Sequence, residues 1–233
     1  MLSKFGADAV FKDPKIAYRE SIRKTIKVQG RHKKQSGGHG QFGDIWVEFS
    51  PAEPGVEFEF EDAVVGGAVP RNFIPSVEKG LRDNLVKGVL AGFPMTGLHA
   101  KLYDGSYHPV DSSEMAFKTA ARIAYKQCIN ASPVLLEPIM HVEVNVPDEY
   151  MGDIMGDMNK RRGRIIGMNQ TDGQQKVEAE APQAEMFKYA TDLRSMTQAR
   201  GSFTMRFERY EEVPASVAEK IIAAADKQDD DED

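Results

Sequence analysis

The sequence has few of the features that mark secreted, membrane and redox proteins. Its 233 residues include one cysteine, Cys128, so no internal disulfide can form. No apolar run approaches the roughly 20 residues needed to span a bilayer, and residues 1–12 lack the apolar segment of a secretory signal. A cytoplasmic protein is therefore expected. Cys128 shares a predicted helical face with Phe117, Ala121 and Ala124, which indicates a buried thiol rather than a reactive one.

The chain also lacks a recognisable catalytic or metal-binding arrangement. No metal site is predicted, because the histidines and Cys128 do not show the spacing of paired metal ligands. The five histidines are His32, His39, His99, His108 and His141. Residues 104–113 hold Asp, His and Ser together, but without a nucleophile elbow. Asp111, three residues before Glu114, is better explained as the capping residue of a helix over residues 112–129. No GxxxxGK[ST] motif occurs, so nucleotide binding is not expected. Since a nucleophile elbow and paired metal ligands are also missing from the sequence, we expect this chain to be non-catalytic and to bind no cofactor.

The charge of the chain is unevenly distributed. The net charge is −6, and residues 226–233 contribute six acids and one base, which leaves −1 for the rest. This acidic end predicts a disordered, solubilising tail. Residues 19–34 contain seven bases against Glu20 alone, so a local polyanion remains a possible partner despite the negative total.

Hydrophobic periodicity predicts two α+β domains. In residues 18–137 we expect a helix that begins at Pro75, a second helix over residues 112–129, and strands over residues 21–30, 44–50, 56–65 and 96–103. Residues 138–213 follow a β-α-β-β-α-β order, typical of a ferredoxin-like domain, with a hairpin turn at residues 171–173 and a second helix over residues 184–197. Pro214 begins a final helix that we expect over residues 214–225.

Three basic or glycine-rich segments are candidate RNA contacts. In the first, four glycines within residues 37–43 allow close backbone approach, beside the bases Arg31, Lys33 and Lys34. The candidate residues of this loop are Gln35, Ser36, Gly37, Gly38, His39, Gly40 and Gln41. A plain flexible hairpin is the alternative.

The second candidate segment places Tyr107 and His108 on a turn, where they suit stacking on unpaired bases or are merely solvated. The third follows a predicted helix and consists of Lys160, Arg161, Arg162 and Arg164. Taken alone, it fits a solvated helix end as well as it fits an RNA contact.

Many ordered segments together resemble the carboxyl-terminal region of bacterial elongation factor G, over residues 17–222. In the first domain the resemblance is carried by residues 17–20, 35–43, 65–67, 74–80 and 102–117. In the second it is carried by residues 135–140, 149–153, 159–165 and 190–200. The amino end and the acidic tail are less typical, which leaves the subfamily open.

The resemblance implies the end of the family's third domain over residues 1–17, then a ribosomal-protein-S5-like fourth domain and a ferredoxin-like fifth domain. It implies a monomer that binds the ribosome, contacting ribosomal RNA of both subunits, A-site tRNA and mRNA. Two tip loops of the fourth domain enter the decoding region during translocation; they match residues 35–43, here the first tip loop, and residues 105–110, the second tip loop. His108 matches the family's tip histidine.

The same resemblance implies that GTP and Mg²⁺ bind a missing amino-terminal domain, so this chain alone should not hydrolyse GTP. A ribosome-protection or recycling paralogue shares the architecture and is the first alternative. A free-standing RNA-binding module, or an enzyme that uses His108, is the second.

Overall fold

The computed structural model describes residues 15–230, which divide into two compact units. The first unit comprises residues 18–136 and 212–230, and the second comprises residues 15–17 and 137–211. Glu137, the last residue of the predicted first domain, belongs to the second unit. Residues 1–14, most of the predicted end of a preceding domain, and residues 231–233 of the predicted tail lie outside the described residues.

A four-stranded sheet and two helices form the core of the first unit. The strands β2 (Ile26–Lys34), β3 (Gln41–Pro51), β4 (Phe58–Asp62) and β5 (Leu98–Ser106) have the order β2-β3-β5-β4. β4 and β5 are parallel and are connected through helix α1 (Ile74–Asn84), so they make a βαβ unit. Ile45, Val47 and Phe49 alternate along β3 and are fully buried, as their spacing predicts.

Helix α2 (Glu114–Lys126) lies on this sheet and continues into a 3-10 turn at Gln127–Asn130. Phe117, Ala121, Ala124 and Cys128 are fully buried, which confirms the predicted core thiol. Burial raises the pKa of Cys128 to about 12, because a thiolate would be poorly solvated there.

The predicted strand over residues 21–30 is wrong, since the chain forms two strands there. β1 (Arg19–Ile22) pairs with residues 133–136 of β6 (Pro133–Pro147), and β2 begins only at Ile26. The backbone N–H groups of Arg23 and Lys24 donate to the carbonyl of Ala131 instead of continuing a ladder. An alternating pattern cannot reveal such a change of partner strand.

The second unit has the predicted ferredoxin-like order. It contains the rest of β6, α3 (Met151–Lys160), β7 (Arg164–Thr171), β8 (Gln174–Pro182), α4 (Tyr189–Met196) and β9 (Ser202–Glu212). The strand order is β9-β6-β8-β7. Asp172 and Gly173 both have positive φ and form a two-residue hairpin turn within the predicted residues 171–173. Val142, Val144 and Val177 are fully buried beneath α3 and α4.

Two predicted helix boundaries in the second half of the chain are wrong. α4 begins at Tyr189 rather than at residue 184, because residues 183–185 form a 3-10 turn and Lys188 is left-handed, with φ 59°. The last helix, α5 (Ala215–Asp230), continues five residues past its predicted end, so residues 226–230 are helical rather than disordered. Among residues 15–230, no helix is both long and apolar enough to cross a membrane.

Candidate nucleic-acid interface

The two tip loops meet at one end of the four-stranded sheet. Strand pairing positions both loops. Lys34 pairs with Gln41 where β2 ends and β3 begins, and Asp44 of β3 pairs with Ser106 at the end of β5. The backbone N–H of Phe42 donates to the carbonyl of Asp111 over 2.9 Å. The first tip loop is therefore hydrogen-bonded to the residue that directly follows the second.

The glycines of the first tip loop have different structural roles. Gly37 and Gly38 have φ values of 43° and 125°, and a Cβ added to either would have no atom within 4 Å. These two residues turn the chain in open space, where a ligand's backbone can approach closely. Gly43 instead allows α2 to pack on β3, because an added Cβ would lie 2.6 Å from the carbonyl oxygen of Ala116.

Three basic side chains lie beside this loop. Arg31, Lys33 and Lys34 are exposed, and within residues 15–230 none of them forms an ion pair. The guanidinium of Arg31 lies 5.7 Å from the ring centre of Phe42. Among the predicted contact residues of the loop, Gly40 is half-buried. The others are exposed: Gln35, Ser36, Gly37, Gly38, His39 and Gln41.

Side chains from both loops line a small cavity of about 200 Å³. Its walls include Lys33, Lys34, Phe42, His108 and Asp111. The rings of Phe42 and His108 are tilted, with their centres 6.5 Å apart. The structure therefore brings the first two candidate segments together at one basic, aromatic surface.

His108 is held in a defined orientation by its own loop. Its Nδ1 accepts hydrogen bonds from the backbone N–H groups of Val110 (3.2 Å) and Asp111 (3.0 Å), and its backbone N–H donates to Ser112 Oγ over 2.8 Å. A nitrogen that accepts two hydrogen bonds carries no hydrogen, so the neutral ring has its hydrogen on Nε2. The side chain remains half exposed, as does the neighbouring Tyr107.

The prediction that Asp111 caps the following helix is wrong. Ser113 is the N-cap of α2, and its Oγ accepts from the backbone N–H of Ala116 over 3.1 Å. Asp111 Oδ1 instead accepts from the backbone N–H of Gly40 over 3.2 Å. Sequence reasoning missed this link because Asp111, Ser112 and Ser113 are all good N-cap residue types, and local spacing cannot show a contact 71 residues away.

The third basic segment is engaged in internal ion pairs. Arg161 is buried, and its guanidinium contacts Asp157 (2.9 Å), Asp192 and the carbonyl of Glu185 (2.7 Å). Arg162 makes a bidentate pair with Glu137, at 2.7 and 3.0 Å. The pKa of both guanidinium groups is raised: burial alone would lower that of Arg161, but its carboxylate partners outweigh this, and the hydrogen bonds to Glu137 dominate for Arg162.

The other two bases of this segment are exposed. Arg164 pairs with Glu180 over 2.7 Å, and Lys160 lies at the carboxyl end of α3. RNA contact by Lys160, Arg161, Arg162 and Arg164 stays a prediction, and the structure gives the three arginines another use. The sequence shows the four-residue spacing of Asp157 and Arg161, but it could not show the other pairs, since Glu137, Glu180 and Asp192 are 16 to 31 residues from their arginines.

In the second unit, three side chains of kinds that commonly bind metal ions lie close together. The ligand atoms of His141, Glu143 and Glu178 lie within 4.8 Å of one another. The ammonium of Lys176 lies 3.4 Å from Glu143 and 3.7 Å from Glu178, so a cation of the protein already faces both carboxylates. The expectation of no metal site stays a prediction.

Comparison with known proteins gives matches over both units. A family model described as elongation factor G, domain IV, matches residues 14–132, and one described as elongation factor G C-terminus matches residues 134–221. A crystal structure of a protein from Thermus thermophilus is similar at 44% sequence identity and a TM-score of 0.83. The match covers 92% of this chain and 32% of that one, so this chain spans about a third of the length of that relative. The predicted fold class is confirmed.

Proposed function

Because the chain belongs to the elongation factor G family, we propose that it is the carboxyl-terminal part of a translational GTPase that promotes movement of tRNA and mRNA through the ribosome. The observation that carries the proposal is the joined tip, where the two loops meet and Arg31, Lys33 and Lys34 form no ion pair with any of residues 15–230. We infer that this end of the first unit enters the decoding region and occupies space that tRNA and mRNA must leave.

The proposed action is binding and steric exclusion, with no chemical step. Lys33 and Lys34 supply contacts to phosphates, which set affinity and its salt dependence. His108 offers Nε2–H as a hydrogen-bond donor and its ring as a stacking surface for bases outside a regular helix. The open turn at Gly37 and Gly38 allows RNA backbone to approach the loop.

The remaining parts of the proposal concern the longer protein. Ribosomal RNA of both subunits, A-site tRNA and mRNA are the proposed partners, in the cytoplasm, with the protein acting as a monomer. GTP and Mg²⁺ would bind a domain outside this chain, whereas this chain would hold no cofactor and catalyse no reaction. Neither matched family model is a GTPase domain.

Replacing the tip histidine in the full-length factor tests the proposal. His108→Ala should slow single-turnover translocation by about tenfold, a loss of roughly 1.4 kcal/mol, as expected for one or two lost contacts. Ribosome-dependent GTP hydrolysis should remain, because the substitution lies outside the nucleotide site. The matched control is Asp83→Ala, an exposed helical position of the same unit.

An unchanged rate of translocation by the His108→Ala variant would contradict the proposed role of the tip. A wild-type full-length factor that binds ribosomes without moving tRNA would instead fit the ribosome-protection or recycling paralogue. Hydrolase activity in the 233-residue chain itself, lost in His108→Ala, would favour the enzyme alternative.

A further inference from the structure

Asp111 is an unexpected residue at a surface proposed to bind RNA. A carboxylate near phosphates weakens binding by like-charge repulsion, so its presence there calls for an offsetting use. Its side chain is three-quarters buried in the tip and lies among the residues that line the cavity between the loops. The contacts of Asp111 indicate what that use is.

Three groups of Asp111 connect the two tip loops. The carboxylate Oδ1 accepts from the backbone N–H of Gly40 over 3.2 Å, and the carbonyl accepts from the N–H of Phe42 over 2.9 Å. The backbone N–H donates to His108 Nδ1 over 3.0 Å, and the carboxylate Oδ2 lies 3.6 Å from the same nitrogen. One residue therefore contacts the first tip loop and the histidine of the second.

The fit between Asp111 and Gly40 leaves no spare room. A Cβ added to Gly40 would lie 2.7 Å from Oδ2 and 2.9 Å from Cγ of Asp111, closer than such atoms normally approach. A side chain at position 40 would therefore displace the Asp111 carboxylate. This close approach provides a second way to break the contact, from the opposite loop.

We propose that Asp111 is a positioning residue, which joins the two tip loops into one surface and orients His108 toward its RNA partner. The inference rests on the proposed function of the tip. It adds that the rate of translocation depends on the fixed arrangement of the two tip loops, and not on basic charge alone. The carboxylate acts through Gly40, the backbone N–H of Asp111 acts through His108, and the residue makes no RNA contact itself.

Amide hydrogen exchange in the 233-residue chain tests the link without the ribosome. Asp111→Ala removes the acceptor, so exchange of the Gly40 amide should accelerate by about tenfold or more, as for a lost hydrogen bond to a charged group. Asp111→Asn keeps an oxygen acceptor and should largely preserve protection. Amides of the buried β3 residues Ile45, Val47 and Phe49 should be unaffected in both variants. Unchanged Gly40 exchange in Asp111→Ala would overturn the proposal.

Translocation by the full-length factor tests the consequence. Asp111→Ala and Gly40→Ala should each slow translocation by about fivefold to tenfold, about what one such hydrogen bond contributes, whereas Asp111→Asn and the control Asp83→Ala should remain near wild type. Faster Gly40 exchange combined with normal translocation would overturn the positioning role. If His108→Ala slows translocation while Asp111→Ala does not, only this inference fails; if neither does, the proposed function fails with it.

Discussion

Two basic stretches of similar density have opposite surroundings. Residues 31–34 carry three bases that are exposed and, within the described part of the chain, form no ion pair. Residues 160–164 carry four bases, and their three arginines pair with carboxylates of the second unit. The first stretch thus keeps its charge available to a partner, whereas most of the charge of the second is already compensated.

The difference teaches that basic residues predict nucleic-acid binding only when their counter-charges are known. Arg161 and Arg162 connect α3 to the segment before α4 and to the start of the second unit's first strand. Planar guanidinium groups suit such multidentate contacts. The bases of the tip include two lysines on exposed strand ends, which suit phosphate contacts that form and break.

The largest effect is expected when the internal network of the second stretch is broken. Arg161→Ala leaves Asp157 without its partner in a partly buried site, so the free energy of unfolding of the second unit should fall by about 3 kcal/mol. Hydrogen exchange of α3 amides measures this unit separately. Lys160→Ala, the exposed neighbour, is the control and should change stability by less than about 0.5 kcal/mol. Equal effects of the two substitutions would contradict the comparison.

A smaller, pH-dependent effect is expected at Glu180. Hydrogen bonds from Arg209 and Arg164 lower the pKa of Glu180 to about 2, against the opposing effect of burial. Because the folded pKa lies below the usual 4.5, the stabilisation is present above about pH 4.5 and is lost as the pH falls toward 2.

Glu180→Gln should therefore lower the stability of the second unit at pH 7, and its difference from wild type should shrink between pH 4.5 and 2. Denaturant unfolding at several pH values, with hydrogen exchange to assign the unit, measures this difference. A constant difference across that range would show that Glu180 does not act through its charge.

The smallest stability effect is expected at the tip. Replacing Lys33 and Lys34 by Ala removes two exposed side chains without ion pairs among residues 15–230, so the first unit should lose less than about 0.5 kcal/mol. Fluorescence of Trp46, which lies in β3 of this unit, reports its unfolding during denaturant titration. A loss of about 2 kcal/mol or more would mean that these lysines serve the fold.

Most of the architecture follows from local patterns in the sequence. Alternation in β3, the stripe that buries Phe117 and Cys128, and the Asp172-Gly173 turn all gave the observed elements. Pattern failed where a distant partner decides the backbone. The break between β1 and β2 depends on Ala131. The late start of α4 has a local cause that periodicity also does not show, the left-handed backbone of Lys188.

The candidate site was less predictable than the fold. Its exposed bases and histidine are visible in the sequence, and their common location was implied only by the resemblance to elongation factor G. The role of Asp111 was hidden, because an Asp before a helix is usually a cap, whereas here Ser113 provides the cap. The internal pairing of Arg162 was hidden because local spacing shows no distant contact, and Glu137 is 25 residues away.

The central claim is that the tip bases, unlike the paired arginines of the second stretch, bind RNA phosphates. It is tested most directly by the salt dependence of binding between the full-length factor and ribosomes. Lys33→Ala with Lys34→Ala should reduce the slope of log K against log salt by about 1.4 to 1.8, equivalent to two phosphate contacts. The control variant Arg164→Ala, which removes an exposed base that is paired with Glu180, should leave the slope unchanged. An unchanged slope for the tip variant, or an equal loss in both, would contradict the account.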